Sequence, residues 1–96
     1  MHVIAKPFIL AFIDDYPDSA SSLLAWHREA ETRTWTTPNE VRESFATASF
    51  VGRLVVFNIA GNKYRLITDI HYNIGKVYID QILTHAEYDR GLWKRG

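Results

Sequence analysis

Two short segments hold the residue types that could bind a phosphate and transfer protons. In the first, Lys63 and Arg65 follow a Gly-Asn turn and are separated by one position; on a β-strand this spacing sends both side chains to the same face. In the second, His85, Tyr88 and Asp89 follow an apolar stretch. Cations stabilise negative charge on a phosphate, and an imidazole exchanges protons near neutral pH. The segments predict a site for phosphate chemistry, with Lys63 and Arg65 acting together.

The spacing of the second segment supports two interpretations. If Thr84 caps a helical turn, steps of three and four residues place His85, Tyr88 and Asp89 on adjacent positions of one surface, where a catalytic histidine-carboxylate pair can form. Alternatively, the segment that begins at Thr84 is itself a capping box, in which Glu87 and Asp89 serve the helix dipole. The first interpretation predicts catalytic roles for His85 and Tyr88 and leaves Asp89 open.

The elements that must position these residues follow from the apolar periodicity and the breakers. The sequence predicts strands at 2–5, 53–60, 63–72 and 76–83, and helices at about 8–13, from Pro17 to about Glu31, and from Pro38 through Phe45. Short turns between the last three strands predict an antiparallel meander. Side-chain alternation on its middle strand sends Tyr64, Leu66, Ile70 and Tyr72 to one face and Lys63, Arg65, Ile67, Asp69 and His71 to the other. The first face should pack on helices, and the second should be polar and open to a ligand.

Composition limits the class of protein. A chain of 96 residues with 47% apolar residues predicts a single domain over residues 1–96 with an adequate core. The lack of cysteine excludes disulfides and thiolate chemistry, and the scattered histidines predict no metal site. No apolar run is long enough to span a membrane, so we expect a cytoplasmic protein. Net charge is zero, but residues 1–51 hold four basic and seven acidic side chains, and residues 52–96 hold seven basic and four acidic.

Two runs of sequence resemble the HigB toxin family, a branch of the RelE-like bacterial toxins. The runs are Val55-Val56-Phe57-Asn58-Ile59 with Gly61-Asn62-Lys63-Tyr64-Arg65-Leu66, and Thr84-His85-Ala86-Glu87-Tyr88-Asp89. The similarity extends from about Val3 to Trp93. It implies an α+β, RelE-like fold, in which N-terminal helices pack on one face of a small antiparallel sheet.

The resemblance also implies an activity. Such a toxin of a type II toxin-antitoxin system would be a ribosome-dependent mRNA endoribonuclease that uses neither a metal nor another cofactor. Its partners would be a cognate HigA-like antitoxin, the ribosome and mRNA, with no membrane. The catalytic candidates are Arg65, His85, Tyr88, Lys63 and Asp89. The RNA-binding candidates are Arg53, Lys63, Arg65, Tyr72 and Lys76.

Asp80 departs from the family pattern, in which a basic residue is common at this place. A carboxylate paired with Arg65 across neighbouring strands would cancel part of the charge meant for a phosphate, whereas a carboxylate acting as a base would take part in the reaction. Two other functions stay open: a gyrase-targeting toxin of the same fold that cleaves nothing, and an inactive domain that binds RNA or protein. The cluster of His85, Tyr88 and Asp89 argues against the first, and Asp80 favours the second.

Overall fold

One mixed sheet forms the centre of the fold, and helices cover one of its faces. The computed structural model describes residues 1–91 and 93. The strands are β1 (His2–Ile4), β2 (Ser49–Val51), β3 (Leu54–Ile59), β4 (Tyr64–His71) and β5 (Lys76–Thr84). The helices are α1 (Lys6–Asp15), α2 (Ala20–Thr32), α3 (Pro38–Ser44) and α4 (His85–Asp89), with a 3-10 turn at Pro17–Ser19. The expected α+β class is confirmed.

The strands lie in the order β1-β5-β4-β3-β2. The meander of β3, β4 and β5 is antiparallel, as predicted. The N-terminal strand joins it beside β5, but in a parallel orientation, so the sheet is mixed. The short edge strand β2 was not predicted, because its three residues pair only after the turn through Gly52 returns the chain along β3.

Local signals explain where the helices begin. Pro7 lies in the first turn of α1, where a missing N–H costs no hydrogen bond. The predicted capping box of α3 is present: the Glu40 N–H donates to Thr37 Oγ1 at 3.4 Å, and the Thr37 N–H donates to Glu40 Oε1 at 3.1 Å. The long helix begins with the 3-10 turn that Pro17 opens, so its α-helical part starts later than predicted.

Apolar clusters lie on both faces of the sheet. The main core joins buried residues of α1, α2 and α3 to the face of β4 that carries Tyr64, Leu66 and Ile70, which confirms the predicted alternation. The opposite face was predicted to be polar. Instead, Val56, Ile67 and Trp93 form a second buried cluster on it. This face is therefore polar only around that cluster, and Arg65 and Arg53 lie towards its two ends.

Two irregularities change the predicted register of the meander. The connection between β3 and β4 takes residues 60–63, because the last pair of strand residues is Ile59 with Tyr64. Lys63 therefore belongs to the turn. On β5, a bulge opposite Ile67 and Thr68 accommodates Asp80, and the strand partner of Arg65 is Leu83.

Candidate active site

Neutral oxygen atoms hold Arg65 at the start of β4. Its Nη1 donates to the carbonyl oxygens of Asn62 and Tyr64 at 3.1 and 3.2 Å, and its Nη2 donates to Asn62 Oδ1 at 3.0 Å. Only 8% of the residue is exposed. A guanidinium that is so largely removed from water interacts more strongly with any anion that reaches it.

An aromatic ring supports the guanidinium. Arg65 Cζ lies 5.2 Å from the centroid of the Tyr88 ring, within the range of a cation–π contact. Tyr88 in turn stacks on Trp93, with centroids 4.9 Å apart and an angle of 14° between the rings. The Trp93 indole N–H donates to the Tyr88 carbonyl oxygen at 3.0 Å. These contacts fix the Tyr88 ring beside the arginine.

No carboxylate neutralises Arg65 within the part of the chain that the structure describes. The six ion pairs found there involve other residues. The pairing of Arg65 with Asp80, one of the two possibilities that the sequence left open, does not occur, since Asp80 lies at the bulge, is exposed and accepts a hydrogen bond from Gln81 Nε2 at 3.4 Å. Arg65 is thus a nearly buried cation without a carboxylate partner among the described residues.

Lys63 lies apart from Arg65, contrary to the predicted pair. Its ammonium binds Asp18 Oδ2 at 3.1 Å, and the Tyr64 hydroxyl donates to the other oxygen of the same carboxylate at 2.5 Å. These hydrogen bonds from Tyr64 and Lys63 lower the pKa of Asp18. The hydrogen bond to Asp18, followed by burial, raises the pKa of Tyr64 to about 12. Because Lys63 belongs to the turn, strand alternation does not govern it.

The second segment forms the short helix α4, and both interpretations of its spacing are present. The capping box exists, with the Thr84 N–H donating to Glu87 Oε1 at 2.9 Å and the Glu87 N–H donating to Thr84 Oγ1 at 3.2 Å. The His85-carboxylate pair also exists, with His85 Nδ1 at 2.9 Å from Asp89 Oδ2. The two sets use different residues: Glu87 serves the cap, and Asp89 orients the imidazole.

A backbone hydrogen bond connects the two segments. The His85 N–H donates to the Lys63 carbonyl oxygen at 2.8 Å. The first residue of α4 is therefore attached to the turn whose Asn62 holds Arg65. Tyr88 reaches Arg65 from the same helix. The structure thus brings His85, Tyr88 and Asp89 to the end of the sheet where Arg65 lies.

Two of the predicted RNA-binding residues lie at the other end of this sheet face. Arg53 Nε lies 3.4 Å from Asp69 Oδ2, which is also 3.4 Å from His71 Nε2. Lys76 is the strand partner of His71. Asp69 is four residues along β4 from Arg65, or roughly 13 Å. Arg53 and Lys76 are therefore separate from the Arg65 site.

Tyr72 is in a different environment from the one predicted. It packs against the main core on the helical side, and its hydroxyl is buried without a hydrogen-bond partner in the described residues. Burial raises its pKa. This placement does not favour stacking of Tyr72 on a base.

Two residues beside the candidates had no assigned role in the sequence. The sequence indicates only a turn at Asn62, although this residue makes two of the contacts of Arg65. Asp18 lies far from Lys63 in the chain, so no spacing could indicate their contact. Within residues 1–91 and 93, no group of three or more histidine or acidic side chains is arranged to hold a metal ion.

Comparisons with known proteins agree with this arrangement. The model of a family described as HigB toxin, the RelE-like toxic component of a toxin-antitoxin system, matches residues 19–91. The chain belongs to the HigB toxin family. The matched region contains both segments of the candidate site, and membership confirms the resemblance seen in the sequence. An antitoxin is therefore a partner of this chain.

Full-length relatives extend the similarity to almost the whole chain. An mRNA interferase HigB of Escherichia coli O6:H1 is 28% identical over 93 residues, covering 94% of this chain and 90% of the relative. The mRNA interferase toxin HigB of Escherichia coli K12 is 25% identical over 92 residues, covering 93% and 88%. In the described residues, no helix is both long enough and apolar enough to cross a membrane.

Proposed function

We propose that this toxin is an mRNA interferase, an endoribonuclease that cleaves mRNA on the ribosome in the cytoplasm. The observation that carries the proposal is the Arg65 guanidinium, which is held by neutral oxygens and has no carboxylate partner in the described residues. The relatives named mRNA interferase HigB support the same reaction class. An arginine of this kind stabilises the extra negative charge that a phosphate gains during cleavage.

The reaction is the attack of a 2′-hydroxyl on the neighbouring phosphate. The 2′ oxygen forms a bond to phosphorus, the bond from phosphorus to the 5′ oxygen breaks, and the products are a cyclic phosphate and a free 5′-hydroxyl. His85 takes the proton of the 2′-hydroxyl, because Asp89 holds Nδ1 and leaves Nε2 of the neutral ring to accept it. The leaving 5′ oxygen takes a proton from solvent. Arg65 binds the phosphate oxygens throughout.

Dependence on the ribosome is in keeping with the charge of the chain. A net charge of zero gives little general attraction for RNA. A ribosome would present the mRNA already oriented, so that the toxin contributes few contacts of its own. Lys76, at the far end of the sheet face, extends the RNA contact beyond the scissile phosphate, whereas Arg53 is paired with Asp69 and contributes less.

The test is expression without antitoxin, followed by mapping of RNA ends. The parent should stop growth and cut within translated codons. Arg65→Ala should reduce cleavage by about a hundredfold or more, because it removes a charged hydrogen-bond donor from the transition state. Cuts in untranslated RNA, or DNA damage without RNA cleavage, would contradict the proposal.

Arg42 provides the matched control for this experiment. It also lies over an aromatic ring, with Cζ 4.4 Å from the Phe50 centroid, and it also donates to an asparagine, Asn39 Oδ1, at 3.5 Å. Arg42 belongs to α3, away from the candidate site. Arg42→Ala should therefore leave cleavage near the parental rate. Equal losses in the Arg42 and Arg65 variants would indicate a general effect of removing an arginine.

A further inference from the structure

We infer that Asn62 is a positioning residue for Arg65: it fixes the guanidinium beside α4 with neutral acceptors and so leaves its positive charge uncancelled. The inference rests on the proposed function, since it concerns how the phosphate-binding arginine is presented. Asn62 does not itself touch the reacting atoms. Its carbonyl oxygen and its Oδ1 each accept a hydrogen bond from Arg65.

Counting donors shows what this arrangement leaves for a substrate. A guanidinium has five N–H donors. Both hydrogens of Nη1 are directed to the carbonyl oxygens of Asn62 and Tyr64, and one hydrogen of Nη2 is directed to Asn62 Oδ1. Within residues 1–91 and 93, the Nε–H and the second hydrogen of Nη2 have no acceptor. Two donors match two oxygens of a phosphate, the geometry in which arginine binds phosphate most strongly.

The chemistry of the side chain explains why an amide suits this position. An aspartate has nearly the same shape and could accept the same hydrogen bond, with greater strength because it is charged. It would, however, form an ion pair with the guanidinium of a residue that is only 8% exposed, and this pair would compete with the substrate phosphate. Residue 62 must orient the Arg65 guanidinium without cancelling its positive charge, and an asparagine side chain does both.

The backbone of the turn fixes where Asn62 can act. Ala60 and Gly61 both have positive φ, at 53° and 68°, so the chain reverses sharply before Asn62. The Lys63 N–H donates back to the Ala60 carbonyl oxygen at 3.3 Å, and the Lys63 carbonyl oxygen accepts from the His85 N–H at 2.8 Å. The turn therefore sets the position of Arg65 relative to His85, which the proposed reaction requires.

The experiment compares Asn62→Asp with Asn62→Ala in two measurements. One is steady-state cleavage of mRNA on purified ribosomes, analysed as separate kcat and KM. The other is the thermal midpoint of unfolding of the free toxin. Asn62→Ala removes one hydrogen bond but keeps the charge available, whereas Asn62→Asp keeps the hydrogen bond and cancels the charge. The positioning role predicts that the two variants rank in opposite orders for thermal midpoint and for cleavage.

The thermal midpoint of unfolding of Asn62→Asp should equal or exceed that of Asn62→Ala, because the carboxylate still holds the guanidinium. For cleavage, the order should reverse: Asn62→Ala should lose about tenfold in kcat, and Asn62→Asp about a hundredfold. A purely structural role of Asn62 predicts that Asn62→Asp is the better variant in both measurements. That result, or parental cleavage by Asn62→Asp, would overturn the inference.

Two further variants separate this inference from the proposed function. Asn39→Asp makes the same substitution next to another arginine, Arg42, and should leave cleavage near the parental rate. Arg65→Ala is the reference for loss of the site. If Arg65→Ala is inactive and Asn62→Asp cleaves normally, only the inference fails. If Arg65→Ala cleaves normally, the proposed function of Arg65 fails first.

Discussion

The cations on the two sides of the turn at residues 60–63 have different partners. On the helical side, the Lys63 ammonium and the Tyr64 hydroxyl share the carboxylate of Asp18. On the other side, the Arg65 guanidinium contacts neutral oxygens and the Tyr88 ring, and no carboxylate of the described residues pairs with it. Lys63 and Arg65 are two positions apart, yet one is neutralised by its own fold and the other is not.

The partners of the two cations determine which of them can bind a substrate phosphate. A cation paired with a carboxylate gains little by moving to a phosphate, since it exchanges one anion for another. A nearly buried cation without such a pair gains a full charge interaction when a phosphate arrives. The type of residue did not distinguish Lys63 from Arg65, but their partners do. Among the described residues, the proposed site thus has one strong anion-binding group, beside the proposed proton-transfer pair of His85 and Asp89.

The largest effect among the following predictions is expected for His85→Gln. Glutamine keeps a hydrogen-bonding side chain but cannot accept the proton, so single-turnover cleavage on ribosomes should slow by about a hundredfold. Affinity for the ribosome should stay near the parental value. An unchanged cleavage rate would return His85 to a structural role and would leave the Arg65 guanidinium as the functional group at this end of the sheet.

A second histidine-carboxylate pair provides the control for that variant. His27 Nε2 lies 3.8 Å from Glu31 Oε2 on α2, with the same four-residue spacing as His85 and Asp89. Burial lowers the pKa of His27. His27→Gln should leave cleavage near the parental rate. A similar loss in both variants would show that any such pair supports the fold rather than the reaction.

Tyr88 should show an intermediate effect that depends on which part of the side chain is removed. Its ring faces Arg65 and stacks on Trp93, and these contacts survive in Tyr88→Phe. A cation–π contact is worth about 1 kcal/mol, so Tyr88→Leu should lose roughly fivefold in cleavage, whereas Tyr88→Phe should stay close to the parent. The single-turnover rates of the two variants show whether the ring or the hydroxyl of Tyr88 contributes to cleavage. A large loss in Tyr88→Phe would assign proton transfer to the hydroxyl.

On the helical side, Asp18→Asn should change a titration more than it changes cleavage. Without the carboxylate, the pKa of Tyr64 should fall from about 12 toward its ordinary 10.0, as measured by the ultraviolet absorbance of tyrosinate. Because this pKa is raised in the folded state, its stabilisation is present below pH 10.0 and is lost as the pH rises through about 12. Asp14→Asn on the neighbouring helix is the control.

Cleavage by Asp18→Asn should remain within about twofold of the parental rate, since the released Lys63 is an exposed charge that solvent screens. A strong gain would mean that Lys63 reaches the substrate once its own partner is removed. That result would restore the pair of cations that the sequence predicted. A strong loss, with the fold retained, would assign the helical side a direct part in the reaction.

The sequence predicted most of the fold because the local signals agreed. Alternation in the meander, the prolines and the capping box of α3 each specify one structure, and the expected helices and three main strands are present. The edge strand β2 was missed because three residues carry too short a pattern. The parallel pairing of β1 with β5 depends on how the helices return the chain, which no local signal encodes.

The candidate site was less predictable, because its geometry depends on two irregularities. The prediction from strand alternation holds only if Lys63 is the first residue of β4. Lys63 instead belongs to the turn, and its side chain lies on the side of Asp18. The capping box and the histidine pair of α4 follow from spacing within one helix, and both are present. Contacts within a single element were predictable, whereas contacts between Asn62, Arg65 and Tyr88 required the folded sheet.

The smallest effect is expected for Asp80→Asn. The sequence suggested that Asp80 faces Arg65, in which case the variant would cleave faster, or that it acts as a base, in which case the variant would be inactive. The structure pairs Arg65 with Leu83 and leaves Asp80 exposed at the bulge of β5. An exposed charge on another part of the strand is screened by water and salt. Single-turnover cleavage by Asp80→Asn should therefore equal the parental rate within about twofold. A clear gain would mean that β5 shifts its register on the ribosome and brings Asp80 to the arginine, since a one-residue slip transfers side chains to the other face of a strand. A clear loss would mean that the Asp80 carboxylate takes part in the reaction. In the free toxin this carboxylate lies away from Arg65, the one nearly buried arginine without a carboxylate partner among the described residues.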